Sequence, residues 1–386
     1  MTTAFADARR LRDRLKTWAV EAAYPLWWKT GADPAGGFFE KLGQDGKPLQ
    51  GPRRGRVLPR QIYSYAVAGD LGWTGPWRDA VEHGLSFYLK AYRRPDGLFR
   101  ALVGPDGASL DDTAALYDQA FSMFAAAAVA RIAPERADDM RRLATEVRTK
   151  LIATRKHPKG GFYLTDPPSA PQGSNEHMHL LEACLAWSEI DSDPVWRSLA
   201  DEIAELTLSR FIQAESGMLR EFFDLDWNPA PGREGRICEP GHQFEWGWLL
   251  LRWGKLTGRA DATAAALRMI EAGETHGIDE DNGVAINALL DDFSIDDPNA
   301  RLWPQTERIK AGALAAEITG EPRWWAMAAA GAEGLMAYLR TPVPGLWRDK
   351  LSPNGDFVDE PAPASSFYHI LCAIVELDRA VGAAQN

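Results

Sequence analysis

Histidine is the side chain whose unperturbed pKa, about 6.5, lets it give and take protons near neutrality. The chain has only seven histidines, and three stand in matching settings: His179 in NEHMHLLEACLAW, His242 in EPGHQFEWGWLL and His369 in SSFYHILCA. Each lies near the start of an apolar, aromatic-rich run. Acid/base chemistry on a small molecule is one reading; a hydrogen-bonded core residue and a metal ligand are the others. His177 and His179 are two apart, so on a helix they point in different directions. No HExxH or comparable ligand spacing occurs, so neither a metal nor another cofactor is expected. Glu182, Glu245 and Glu307 accompany the histidines. They orient imidazoles and bind hydroxyls, or form a glycosidase carboxylate pair, or simply pair with Arg60 or Arg308. Glu245 follows His242 by three residues, so the two share a helical face. Glu245 is therefore expected to hold one ring nitrogen of His242.

Residues so far apart act together only if the fold gathers them. A recurring fragment suggests how: GGFFEKLGQDG, DGLFRALVGPDG, GGFYLTD, SGMLREFFD, NGVAINALLDD and PGLWRDKLSPNG. Each has a glycine followed by alternating apolar residues, the mark of a short strand or hairpin. The key glycines, Gly37, Gly97, Gly161, Gly217, Gly283 and Gly345, recur about every 60 residues, which marks a repeat architecture. An amphipathic helical pattern precedes the glycine, as in WRDAVEHGLSFYLKAY and WRSLADEIAELTLSRF. A more apolar pattern follows it, as in RQIYSYAVAGDLGW from Arg60, ALYDQAFSMFAAAAVARIA from Ala115 and NEHMHLLEACLAWSEI from Asn175. The remaining three start near His242, Pro304 and Ser366.

Six wet helices alternating with six buried ones predict an all-α chain. The expected fold is an (α/α)6 barrel forming a single domain over residues 1–386, with short β-hairpins in the loops at one mouth. A (β/α)8 barrel needs eight buried parallel strands, and the sequence has no such runs. The first turns of the inner helices then carry Arg60 and Gln61, Tyr117 and Asp118, Asn175, His177, His179 and Glu182, His242 and Glu245, Trp303, Gln305, Glu307 and Arg308, and His369. In a closed ring these converge on one mouth, where helix N-termini add partial positive charge suited to an oxyanion. Few lysines accompany them, which argues against a strong phosphate grip.

A formal net charge of −11 argues against nucleic acid or an anionic membrane as partner. Three widely spaced cysteines, Cys184, Cys238 and Cys372, fit a reducing compartment. MTTAFADARRLRDRLKTW lacks the apolar core of a signal segment, and FSMFAAAAVA is too short to span a bilayer. A soluble, cytoplasmic monomer or homodimer acting on a small molecule is expected.

The segments RGRVLPRQIYSYA, NEHMHLLEACLAW, EPGHQFEWGWLL, RLWPQTERIKA and SSFYHILCA resemble, in this order, those of the N-acylglucosamine 2-epimerase superfamily. That superfamily includes cellobiose 2-epimerases and mannose isomerases, and its fold is an (α/α)6 barrel. The resemblance implies an acid/base pair, His242 and His369, with His179 assisting ring opening or sugar binding. It implies Arg60 beside substrate oxygens and Tyr117, Glu245 and Trp303 as pocket residues; Asn175, Glu182, Gln305 and Glu307 complete the expected binding set. APASSFYH before the last histidine looks like the mannose isomerase branch rather than the Lys-containing epimerase form, and HMH speaks against an N-acyl sugar. The expected activity is aldose–ketose isomerisation, D-mannose to D-fructose, through an enediol. The alternatives are 2-epimerisation of mannose/glucose or a disaccharide, and isomerisation of mannose 6-phosphate. From other classes, a glycosidase would spare the histidines, and a binding protein would turn over no sugar.

Overall fold

Two kinds of helix are distinct in sequence before they differ in position. Trp77–Ala91 mixes charged and apolar residues at three- and four-residue spacing, whereas Leu116–Ile132 is apolar almost all round. The first can bury one face; the second must be surrounded. The computed structural model describes residues 2–385 and forms twelve main helices from these patterns. In chain order the odd-numbered set is α1 (Thr3–Trp18, prolonged through two π turns), α3 (Trp77–Ala91), α5 (Ala137–Arg155), α7 (Pro194–Leu206), α9 (Ala260–His276) and α11 (Pro322–Tyr338). The even-numbered set is α2 (Val57–Ala66), α4 (Leu116–Ile132), α6 (Ser174–Ser188), α8 (Pro240–Thr257), α10 (Leu302–Thr319) and α12 (Ser365–Ala383).

Each even helix packs on the next, and α12 packs on α2, so the inner ring closes. From α3 onward each odd helix lies outside the inner helix before it, and α1 covers α11 and α12. The seam is charged as well as apolar: Arg12 and Lys16 of α1 reach Asp378 of α12 at 2.5 and 2.9 Å. One contiguous apolar core runs from Phe5 to Val381. This is the expected (α/α)6 barrel.

Short strands form a crown at one mouth and tie the repeats together. Lys41–Leu42 pairs with Ala362–Pro363, Arg53–Arg54 with Leu102–Val103, and Gln172–Gly173 with Phe222–Phe223, all antiparallel. Strands of this crown directly precede every inner helix, so all six inner helices begin at the same mouth. Repeats four to six depart from the expected short hairpins. Val284–Leu290 and Ile295–Arg301 are seven-residue strands in a five-stranded sheet. They extend because Ile237–Cys238 and Lys350–Leu351 pair with their outer edges. Helix α2 is shorter than its apolar pattern, stopping at Ala66. Gly72 then turns the chain at φ 95°, which a helix cannot accommodate.

The six repeat glycines all have positive φ, between 69° and 94°. At Gly161 a side chain is excluded twice over, because a Cβ would also lie 2.8 Å from His177 Nε2. Just past the glycine, an inner-helix side chain clamps the strand backbone. Gln119 bonds both N–H and C=O of Phe99, Gln243 those of Leu219 and Gln305 those of Ala285. Gln61 reaches the C=O of Phe39. Repeat three uses His177 instead: its Nε2 accepts from Phe162 N–H at 3.0 Å and its Nδ1 donates to Gly173 C=O.

Candidate active site

The crown delivers the three other expected histidines into the barrel. His242 is the third residue of α8, which starts at Pro240, well placed because the first-turn N–H it lacks would have no helical partner. His369 is the fifth residue of α12 and His179 the sixth of α6. Trp303 stands between two of them, its ring centroid 4.9 Å from that of His242 and 5.8 Å from that of His369. Glu245 joins the other pair, with carboxyl oxygen within 4.8 Å of a ring nitrogen of His179 on one side and of His369 on the other. Imidazoles from repeats three, four and six thus share one wall.

Each imidazole donates Nδ1–H to a carboxylate, which can only accept. His242 bonds Glu221 Oε2 at 2.9 Å, His369 bonds Glu307 Oε1 at 2.9 Å, and His179 bonds Glu182 Oε2 at 3.3 Å. Tyr368 donates to Glu182 at 2.6 Å, and Lys310 Nζ lies 2.6 Å from Glu307 Oε2. The three rings are nevertheless poised differently. Burial pushes the pKa of His369 down to about 4 and that of His179 to about 3, against the pull of their glutamates. Burial also works against charge on His242, but Glu221, and after it Glu239 at 3.6 Å, outweigh it and hold the pKa well above 6.5. The surroundings thus favour the charged ring at His242 and the neutral ring at His369 and His179.

Glu245 differs from the three carboxylates that accept from imidazoles. Neither oxygen has a hydrogen-bond partner, and burial together with Glu307 pushes its pKa up to about 8. Arg60 lies buried among rings, its guanidinium carbon 4.1 Å from the centroid of Phe121, and donates to Tyr117 O–H at 2.7 Å. Its Nε has no partner. The ring of Tyr117 stacks on His179 at 5.0 Å. Asn175, half-buried at the start of α6, keeps a buried Oδ1 without a partner. The site therefore offers an acid, a base, a cation and aromatic faces, the set a sugar enediol needs. Three donor sets come within 4.8 Å: His179, Glu182 and Glu245; Glu221, Glu239 and His242; Glu245, Glu307 and His369. In each set at least one carboxylate already accepts from an imidazole, and Glu182 and Glu307 also meet a phenol or an ammonium.

Residues 37–373 match the sequence profile of the N-acylglucosamine 2-epimerase (GlcNAc 2-epimerase) family. The chain belongs to this family. As an N-acylglucosamine 2-epimerase family member it is a sugar isomerase/epimerase with a small-molecule sugar substrate. It is 50% identical over 370 residues to a mannose-6-phosphate isomerase of Rhizobium meliloti (strain 1021), covering 94% of this chain and 96% of that one. It is 24% identical to a D-mannose isomerase of Marinomonas mediterranea, over 79% and 81% of the two chains. Its fold superposes on a cellobiose 2-epimerase from Spirochaeta thermophila DSM 6192 (TM-score 0.87, 23% identity, all of both chains). A D-mannose isomerase crystal structure also gives TM-score 0.87, at 21% identity over 97% and 98%.

Within this family member the expected residues fall into two groups. His179, His242, His369, Arg60, Tyr117, Asn175, Glu182, Glu245, Trp303 and Glu307 gather along the inner-helix starts, with Glu182 deepest. Gln305 does not join them: it is fully buried, and its amide is engaged by Ala285 and the C=O of Arg301. The expected His242–Glu245 pairing is also corrected. Glu221, from the crown strand, reaches His242 first, while Glu245 faces His179 and Lys310. Arg308 is no partner for the buried glutamates, because it pairs outward with Glu274 of α9 at 2.7 Å. Glu221, Tyr368 and Lys310 are functional neighbours that helical spacing does not reveal. A hint exists for Glu221, a buried acid immediately before the apolar strand Phe222–Phe223. A separate hollow of about 630 Å3 opens at the opposite mouth, lined by Phe124, Leu185, Trp248 and Leu314, with Glu182 at its base. No helix among the described residues is long and apolar enough to cross a membrane.

Proposed function

We propose that this family member is a cofactor-independent aldose–ketose isomerase that converts D-mannose to D-fructose. One observation carries the reading: two imidazoles pack against Trp303 with their pKa values moved in opposite directions, that of His369 lowered by burial to about 4 and that of His242 raised by Glu221 and Glu239 against burial. His179, which burial keeps from taking a lasting charge, takes the anomeric hydroxyl proton as the ring opens and returns it to the departing ring oxygen, so it ends as it began. Nε2 of His369 then removes the C2 proton, and the electrons of that C–H bond form the C1=C2 bond. His242 protonates O1, and Arg60 stabilises the developing charge. Loss of the O2 proton back to His242 and return of a proton from His369 to C1 give the ketose, with both histidines restored. Delivery to the opposite face of C2 instead would make the same site a 2-epimerase.

A second reading, mannose 6-phosphate as substrate, is favoured by the name of the Rhizobium meliloti relative. The arginines at the mouth speak for the free sugar. Arg54 pairs with Glu40, Arg301 with Asp349, and Arg220 and Arg236 with Asp291, leaving Arg56, 4.0 Å from Asp118, the loosest of these five. The test is incubation with each sugar in D2O, scoring ketose and deuterium at C1 or C2. Fructose from mannose, with label at C1, is expected. Glucose as the product would replace isomerase by epimerase. A kcat/KM more than tenfold higher for the phosphorylated sugar would replace the substrate.

A further inference from the structure

Helix α10 carries a lysine that the acid/base cycle does not use. Lys310 is 0% exposed, a placement that costs several kcal/mol unless the ammonium is well paired. Its Nζ lies 2.6 Å from Glu307 Oε2, 3.9 Å from Glu245 Oε1 and 3.9 Å from the ring centroid of Trp248. Glu307 gives its other oxygen to His369 Nδ1 at 2.9 Å. Ammonium, carboxylate and imidazole therefore stand in one line. The other titratable or charged groups facing this line are Glu245 of α8, Glu182 and His179 of α6, Cys372 and Tyr368 of α12 and Arg60 of α2. Helix α11, packed behind α10, turns its charges elsewhere: Arg323 to Glu271 and Glu321, and Glu333 to Arg10.

Three buried carboxyls, Glu182, Glu245 and Glu307, stand around Lys310, with Arg60 as the second cation near them, while Glu221 answers His242 and Asp118 lies by Arg56 and Arg60. Two carboxylates can ionise without leaving net charge in the interior, and hydrogen bonding selects which. Glu182 accepts from Tyr368 and His179, and Glu307 meets His369 and Lys310. Both oxygens of Glu245 lack a hydrogen bond, whereas Glu307 keeps that from His369 on one oxygen and an ion-pair contact with Lys310 at 2.6 Å on the other. Glu245 is the carboxyl that keeps its proton.

We infer that Lys310 is a positioning residue for the base: it holds Glu307 as a carboxylate, which fixes the proton of His369 on Nδ1 and leaves the Nε2 lone pair for substrate carbon. The inference rests on the assignment of His369 as the base. Without the ammonium, Glu245 and Glu307 become two neighbouring buried carboxyls sharing one proton, as paired carboxylates do. A protonated Glu307 donates to Nδ1 and forces the proton of a neutral His369 onto Nε2. Such a ring cannot accept a proton from carbon.

Seven histidines make the chain tractable for 15N-histidine NMR, which reads tautomer and charge without turnover. Wild type is expected to show His369 as the Nδ1–H tautomer at pH 7. Lys310→Met is expected to move the proton to Nε2, lower kcat at least tenfold with KM within threefold, and shift the acid limb of kcat upward. Lys310→Arg keeps the tautomer and the limb. Adding Glu245→Gln to Lys310→Met removes the competing acid and moves both back toward wild type. An unchanged tautomer and a parallel pH profile in Lys310→Met would overturn the inference. Should that variant not fold, the infrared carbonyl band of a protonated carboxyl decides. It is expected to lose the contribution of Glu245 in Glu245→Gln, leaving that of Asp118 and Glu239, whose pKa values burial pushes up to about 7; an unchanged band there overturns the inference. If neither sugar turns over, the proposed reaction fails while the NMR result still decides the part played by Lys310.

Discussion

His242 and His369 face each other across Trp303, and the Nδ1 of each lies 2.9 Å from a glutamate oxygen. By first contacts alone they are twins. They separate one bond further out. Glu221 is supported by neutral donors, Ser174 O–H and the N–H of Glu239, and a second carboxylate stands 3.6 Å from the ring. Glu307 instead meets an ammonium at 2.6 Å, so its charge is largely answered before it reaches His369. Burial opposes charge on both rings; at His242 Glu221 and the second carboxylate outweigh it, while at His369 the ammonium and Arg60 side with burial against the pull of Glu307. The pair can then divide the labour of acid and base near neutral pH.

The strongest way to break the comparison is to remove either ring. His369→Asn and His242→Asn should each lower kcat by about 10²–10⁴-fold, measured as ketose formation. If they differ in role, only His242→Asn should retain exchange of the C2 proton with solvent. Next, Glu221→Gln removes the largest contribution to the raised pKa of His242. The imidazolium is then lost at lower pH, so the alkaline limb of kcat should move acidward while the acid limb, set by His369, stays. A fixed alkaline limb would mean that His242 is not the acid. The smallest effect is on stability. The pKa values of His177, His179 and His369 are lowered to about 4, 3 and 4 by burial. Between pH 6.5 and 4 the unfolded chain binds more protons, so stability present above pH 6.5 is lost as pH falls through that window. His242 has the opposite sign: its contribution is complete below pH 6.5 and is lost as pH rises through its raised pKa. Melting temperature across pH should show both arms. His177→Gln, the residue found in the other clamps, should soften the acid arm without changing kcat.

The ring and the place of the histidines were legible because both depend on local rules. A glycine such as Gly161 is required wherever the chain turns at positive φ against an inner helix, so the repeat is written into residue types. Inner helices need apolar residues all round, so polar exceptions such as His242 and Glu307 stand out. Partnership was not legible. Spacing places Glu245 on the helical face of His242, yet the crown strand brings Glu221 closer, a contact fixed by tertiary register rather than by helix period. Residue type also misleads about direction. Gln305 and Glu307 sit two apart on α10; one faces the crown backbone and the other the pocket. Lys310 looked like any lysine on a helix, and only ring closure makes its position an interior one.

The seam between α1 and α12 sets the order in which the molecule comes to life. During synthesis α1 emerges long before the helix it covers, with Phe5, Ala8, Leu11 and Leu15 waiting for an apolar partner. That partner carries His369. The imidazole proposed as the base and the last wall of the ring lie on the same stretch of chain, so under that proposal activity and closure arrive together.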